Sequence, residues 1–282
     1  MTIEVTILYD LFIIILFAIG STYIYLSEMP NELVTTRYKV NRYHNKSFFG
    51  VTDGTRKLHL NGNNSFENGF DHGILLAEEI MDNINLFKKR ANIKIPAWKL
   101  NDINKNLHIN IRSELKGLTS AINSMYPGKV TYWDLLGFQL FTEFECFECI
   151  TYAAKNKNDK VIFGHSINWP VNYDIEPICI KYQNYTSMSI PGFIGCITAH
   201  KDYFALATNF DMPKQEPNNR FLPNSLFNKN IMICANTFDE AIKIASNNKP
   251  RNSCYLTIAD YKDVYSFKYE LEKTLTFVKC LN

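Results

Sequence analysis

An α+β fold, helices first and antiparallel strands after, is the class this sequence predicts. Between His72 and Phe141 the apolar residues recur at helical spacing, whereas after Cys149 they fall into short alternating runs separated by polar turns. A single capped helix interrupts those runs, and helices segregated from a set of antiparallel strands are the α+β pattern.

Residues 27–66 have no sustained period and are rich in Asn, Gly and Thr, which reads as a strand or two with loops. From His72, Ile74, Ala77, Ile80, Met81, Ile84 and Phe87 share one helical face, and Lys88, Lys89 and Arg90 suit its C-terminal end. A second helix is expected from Asn101 to Met125, with Leu107, Ile111, Leu115, Leu118 and Ile122 in register and Pro127-Gly128 as its stop. Thr131 followed by Asp134 caps a third, which passes through Leu135, Leu136, Phe138 and Phe141 toward Cys149. Beyond it, Cys149 to Gly164 reads as a hairpin. So do Ile194 to Thr198 with Phe204 to Thr208, and Cys254 to Ala259 with Val264 to Tyr269. Thr237-x-x-Glu240 caps the helix between the last two pairs, and the final alternating run from Thr274 is a strand.

With 282 residues, 46% apolar and 21% charged, the chain can bury a full core as one large domain or two small ones. Its net charge of +2 and scattered Lys and Arg residues leave no footprint for nucleic acid, which is excluded as an expected partner. Leu11 to Leu26 carry no charge, yet they are shorter than the roughly 20 residues of a spanning helix and no Lys or Arg precedes them. The expectation is a signal anchor within residues 1–28 that sends the rest into the secretory pathway, membrane-anchored or secreted; a buried helix is the other reading. Asn45-Lys-Ser, Asn63-Asn-Ser and Asn184-Tyr-Thr are sequons compatible with a lumenal fate. The seven cysteines are Cys146, Cys149, Cys179, Cys196, Cys234, Cys254 and Cys280, an odd number that leaves one thiol free if the rest are bridged. Cys146-x-x-Cys149 has no second Cys pair and no closely spaced His, so neither a metal nor a cofactor is expected.

The hairpin that opens at Cys149 and continues into Gly164-His-Ser-Ile-Asn168-Trp169 resembles the working end of an N-terminal-nucleophile hydrolase. The group is that of acid ceramidase, N-acylethanolamine acid amidase, choloylglycine hydrolase and penicillin acyltransferase. Four further stretches are similar to that group in the same order: GFDHGILLAEEI at 69–80, WDLLGFQLFTEFECFEC before Cys149, PGFIGCITAHKDYFALATNFD with Asn209, and the terminal VKCLN with Asn282. The resemblance implies a four-layer αββα sandwich. It also implies a mainly helical propeptide-like region over 29–148 and a nucleophile-led sheet region over 149–282.

The resemblance further implies a cut between Glu148 and Cys149. The freed α-amine, with a pKa of about 7.7 to 8.0, then serves as base for its own thiol. Asn282 and Asn209 would donate to the oxyanion of an amide under attack. Where the group has Arg and Asp, this chain has His165 and Asn168. His165 replaces a fixed charge with one that depends on pH, and Asn168 keeps an acceptor but no charge. The chain stops at Asn282, where the group continues. Two functions follow: a thiol amidohydrolase acting on an acylated amine such as an N-acyl lipid or N-acyl amino acid, or a catalytically silent relative that binds or scaffolds.

Overall fold

Alternation decides where each strand sends its side chains, and in the computed structural model it divides the protein into layers. The structure describes residues 42–91, 95–144, 148–168, 175–210, 221–270 and 276–279. They belong to one compact unit, Asn41–Asn282. Among them the strands are β1 (Arg42–His44), β2 (Ser47–Thr52), β3 (Thr55–His59), β4 (Glu148–Lys155), β5 (Val161–Asn168), β6 (Ile178–Lys181), β7 (Thr186–Ser189), β8 (Thr198–His200), β9 (Ala205–Phe210), β10 (Cys254–Ala259), β11 (Val264–Tyr269) and β12 (Thr276–Lys279). The helices are α1 (Ser65–Leu75), α2 (Ala77–Ala91), α3 (Ala97–Asn106), α4 (Ile109–Met125), α5 (Tyr132–Phe138), α6 (Phe141–Phe144), α7 (Asn224–Cys234) and α8 (Phe238–Asn247).

Ten strands form one sheet in the order β1-β2-β3-β6-β7-β8-β9-β10-β11-β12, antiparallel throughout except where β3 runs parallel to β6. The fold is therefore α+β, with a large, chiefly antiparallel sheet. One face carries the row Phe49, Leu58, Ile180, Ala199, Leu206 and Ile258, one residue per strand, each 2% exposed or less. Helices cover that face: Asn228 of α7 donates to Thr208 Oγ1, and Tyr269 OH donates to the Ala245 carbonyl of α8. The hairpin β4–β5 lies against the opposite face, where Thr151 meets Asn209. Among the described residues the order of layers is helices, sheet, hairpin.

Several boundaries differ from those the pattern suggests, each for a local reason. The first helix begins at Ser65, seven residues before His72, because Asn64 caps it by accepting from Glu67 N at 3.0 Å. The stretch from Asn101 to Met125 is two helices: α3 ends at Asn106, and His108 caps α4 by accepting from Asn110 N. At α5 the capping box of Thr131 and Asp134 is complete in both directions. The strand expected over Ile194 to Thr198 shrinks to Thr198–His200, since the backbone of 190–197 is satisfied by side chains instead of a neighbouring strand. Gln139 accepts from Ile194 N and donates to Gly192 O, Asn83 donates to Pro191 O, and Asn228 donates to Cys196 O. The helix α7, which binds that loop, has no counterpart among the sequence expectations. Leu11 to Leu26 lie outside the described residues, and among those described no helix is long and apolar enough to cross a membrane.

Two buried interactions tie the helices together. At Gly69 a Cβ would stand 1.9 Å from Glu114 O, and at Gly117 one would stand 2.0 Å from Phe66 O, so α1 and α4 touch backbone to backbone only because both positions are glycine. Lys229 of α7, fully buried, pairs with Glu114 of α4 at 2.8 Å and donates to Tyr182 OH and Ile194 O. Removing the cation leaves a buried carboxylate without its partner, so Lys229→Met is expected to cost about 3 to 5 kcal/mol. The double variant Lys229→Met, Glu114→Leu should recover most of that loss, which urea unfolding of the four proteins measures.

His72 of α1 is fully buried and accepts from Gly192 N at 3.1 Å. Burial, helped by the Lys229 charge, pushes its pKa down to about 3. A histidine depressed on folding contributes stability that is present above its unfolded pKa and is lost as pH falls toward the folded value. Lowering the pH from 7 to 5 should therefore remove about 2 kcal/mol of unfolding free energy through this residue. Urea titrations at both pH values test this: His72→Gln should show a flatter dependence, and equal slopes would assign the loss to other groups.

Candidate functional site

β4 and β5 pair antiparallel with Cys149 opposite Ile167 and Thr151 opposite His165. The connection Asn156-Lys-Asn-Asp-Lys closes as an Asn-led turn: Asn156 Oδ1 accepts from the backbone of Asn158 and Lys160, and Asp159 takes the left-handed conformation with φ 58. Period two then sends Cys149, Thr151, Ala153, His165 and Ile167 inward, while Ile150, Tyr152, Ile162 and Asn168 go outward. Opposite the hairpin, β9 presents Ala205 and Ala207, whose small side chains leave room for close approach.

Two polar contacts join hairpin to sheet. Thr151 Oγ1 donates to Asn209 Oδ1 at 2.7 Å, and His165 Nδ1 hydrogen-bonds with Thr198 Oγ1. At the far end, Val161 N donates to Tyr261 O at 3.0 Å in the β10–β11 turn. The half-buried Cys149 thiol is pushed up to about 11 by burial, an effect that the Phe210 backbone N–H, directed at the sulfur, partly offsets. In the uncut chain the sulfur is therefore protonated near neutral pH, unlike an activated thiolate beside a cation.

His165 sits on the same face of the hairpin as Cys149, but burial lowers its pKa, with Asn209 partly offsetting the shift. Burial thus works against the charged ring, so a positive charge on His165 is opposed by the site itself. Its Nε2 is buried without a hydrogen-bond partner among the described residues. Asn209 is beside His165, with its carbonyl oxygen engaged by Thr151. Asn168 stands opposite Glu148, exposed and on the face away from Cys149. Asn282 and Cys146 lie outside the described residues.

Thr151 and Thr198, which hold Asn209 and His165, were absent from the sequence expectations. For Thr151 the signal existed, since two residues beyond Cys149 on a strand is the same face; for Thr198 it did not, because its contact depends on how two layers stack. Among the described residues Cys149, Cys179, Cys196 and Cys234 are free thiols. Among the described residues no group of three or more His, Cys, Asp or Glu gathers as a metal site. A surface cavity of about 450 Å³ lies between the β6–β7 and β8–β9 turns, lined by Lys181, Asn184, His200, Lys201 and Tyr203, and Cys149 is not in its wall.

Fold and site together describe an α+β protein with a cysteine-led hairpin stacked on a large sheet. No protein-family model matches the chain, and no curated protein matches it. Among solved structures it is similar to the Caenorhabditis elegans N-acylethanolamine-hydrolyzing acid amidase (NAAA) ortholog, at 13% identity and a TM-score of 0.35. The match covers 48% of this chain and 64% of that one, so the chain spans less than two thirds of that protein's length.

Asn209→Ala strips the acceptor from Thr151 at the layer interface. The expected cost is about 1 to 3 kcal/mol, together with faster amide hydrogen exchange across 148–168. Unchanged exchange there would show that the hairpin is held without Asn209.

Proposed function

We propose that the chain is a thiol amidohydrolase of the N-terminal-nucleophile type, with Cys149 as nucleophile after a cut between Glu148 and Cys149. The observation that supports this best is the position of Cys149: the first inward-facing residue of the hairpin, at the layer interface, with the Phe210 N–H aimed at its sulfur. The thiol adds to the carbonyl carbon of Glu148, the peptide nitrogen leaves as the α-amine of Cys149, and water hydrolyses the resulting thioester. The new amine then takes the thiol proton. The thiolate attacks the amide carbonyl of an acylated amine, the amine departs with that proton, and water releases the acid from the acyl-enzyme. Asn209 Nδ2 and Asn282 are the proposed oxyanion donors, each worth roughly 3 to 4 kcal/mol in comparable sites. We place this activity in the secretory pathway, with Leu11 to Leu26 as the anchor.

A second reading is favoured by the chemistry around the sulfur. Burial lowers the His165 pKa, Asn209 is engaged by Thr151, and Asn168 faces away, so the chain reads as a silent relative that binds or scaffolds. The discriminating measurement is the intact mass and N-terminal sequence of the purified protein at pH 4.5 and 7.5. A new N-terminus at Cys149, abolished by Cys149→Ala, supports the hydrolase, and the same mass reports any glycan at Asn45, Asn63 or Asn184. A single uncut chain that a thiol-directed acylating probe fails to label at Cys149 overturns it. Processing that appears only in His165→Arg with Asn168→Asp identifies the silent relative.

A further inference from the structure

A ribbon stacked on a sheet needs one apolar face, and β4–β5 has two. Its inner face packs on the sheet; its outer face presents Ile150, Tyr152 and Ile162 at 65%, 57% and 55% exposed. Register makes them neighbours, since Tyr152 stands opposite Gly164 and Ala154 opposite Ile162. Gly164 leaves the Tyr152 ring lying flat across it: a Cβ there would stand 2.0 Å from that ring. The outcome is an apolar patch of Ile150, Tyr152, Ala154 and Ile162 along the outer face, with the exposed Ser166 opposite Ile150 and Asn168 at the end away from the turn. Apolar surface gathered in this way marks a contact.

Lysines border the turn end. Lys157 and Lys160 lie exposed in the hairpin turn, and Lys262 is exposed in the β10–β11 turn to which Val161 N is tied. Three acids stand among them: Asp159 pairs with Lys155, Asp260 Oδ1 accepts from the backbone of Lys262 and Asp263, and Asp263 follows Lys262, so Lys155, Lys157, Lys160 and Lys262 leave the turn end with an excess of positive charge. Three apolar side chains expose on the order of 300 Å², well short of the roughly 800 Å² per partner of a stable protein interface. A lipid surface requires no shape complement. It takes isoleucines among its acyl chains, a tyrosine at headgroup depth and lysines against anionic phosphates.

We propose that the outer face of the β4–β5 hairpin docks on an anionic lipid surface. Resting on the hydrolase reading, this makes the substrate a lipid amide drawn from that surface, with Cys149 one residue from the docked face. The docking itself needs no catalysis, so Cys149→Ala should bind equally.

The test uses the full chain with Tyr152→Trp and vesicles of phosphatidylcholine, with or without a quarter phosphatidylserine, carrying brominated acyl chains. The emission difference between this variant and its parent should be quenched at least twofold by the serine-containing vesicles and less by phosphatidylcholine alone. Lys157→Glu, Lys160→Glu and Lys262→Glu together should weaken that quenching about tenfold or more in lipid concentration, with the unfolding midpoint unchanged. Absence of quenching at position 152 while the chain still sediments with vesicles assigns the membrane contact to another segment and overturns the proposal. So does shielding of the same tryptophan from acrylamide that grows with protein concentration without lipid, the outcome of a second copy or another protein on this face.

Discussion

The ammonium group of Lys229 is the point on which the helical layer and the sheet depend together. It is fully buried, and a cation there is tolerated only because its charge and all its donors are met: Glu114 on α4, Tyr182 OH beyond β6, and the Ile194 carbonyl in the buried loop. The Tyr182 ring, 4.4 Å from the nitrogen, adds its π face. Four parts of the chain that are distant in sequence thus converge on one atom. The same charge helps keep His72 neutral, which preserves the ring nitrogen that accepts from Gly192 N. The loop 190–197 is held from both ends by this arrangement, and β8 begins where the loop stops.

Order passes from that network to the candidate site through β8 and β9, and most directly through β9. Consecutive residues of β9 face opposite layers: Thr208 accepts from Asn228 among the helices, and Asn209 accepts from Thr151 in the hairpin. A shift of β9 by one residue would exchange those faces and break both contacts. The hairpin is a two-stranded ribbon, a form with little stability alone, so its place follows from Asn209, Thr198 and the Tyr261 carbonyl. Cys149 inherits its depth and its neighbours from that docking.

Local signals were legible and non-local ones were not. Thr131 with Asp134, Thr237 with Glu240, and the paired runs Cys254–Ala259 and Val264–Tyr269 all specify their structure within a few residues, and all appear where the pattern puts them. Residues 190–197 look like a strand by apolar content, but Gln139, Asn83 and Asn228 claim their backbone groups, and no window around 194 contains those residues. Helix α7 is hidden for the converse reason: eight of its residues, Asn224, Ser225, Asn228 and Lys229 among them, are buried, so it lacks the polar stripe that betrays a surface helix. At the site, Cys149 and its face could be read from period two. The lowered pKa of His165 could not, since it arises from burial beneath another layer.

That lowering bears on how the sulfur could be activated. With the thiol pushed up to about 11, roughly one molecule in ten thousand carries a thiolate at pH 7. A fixed cation beside the sulfur would repair this, but the His165 pKa is lowered by the same burial, and Asn168 has no charge to give. The remaining source is the residue's own backbone. A cut before Cys149 replaces a neutral amide with an amine whose pKa of about 7.7 to 8.0 lets it hold the thiol proton near neutrality. On the proposed hydrolase reading, the thiol is protonated in the whole chain and the new amine is what activates it.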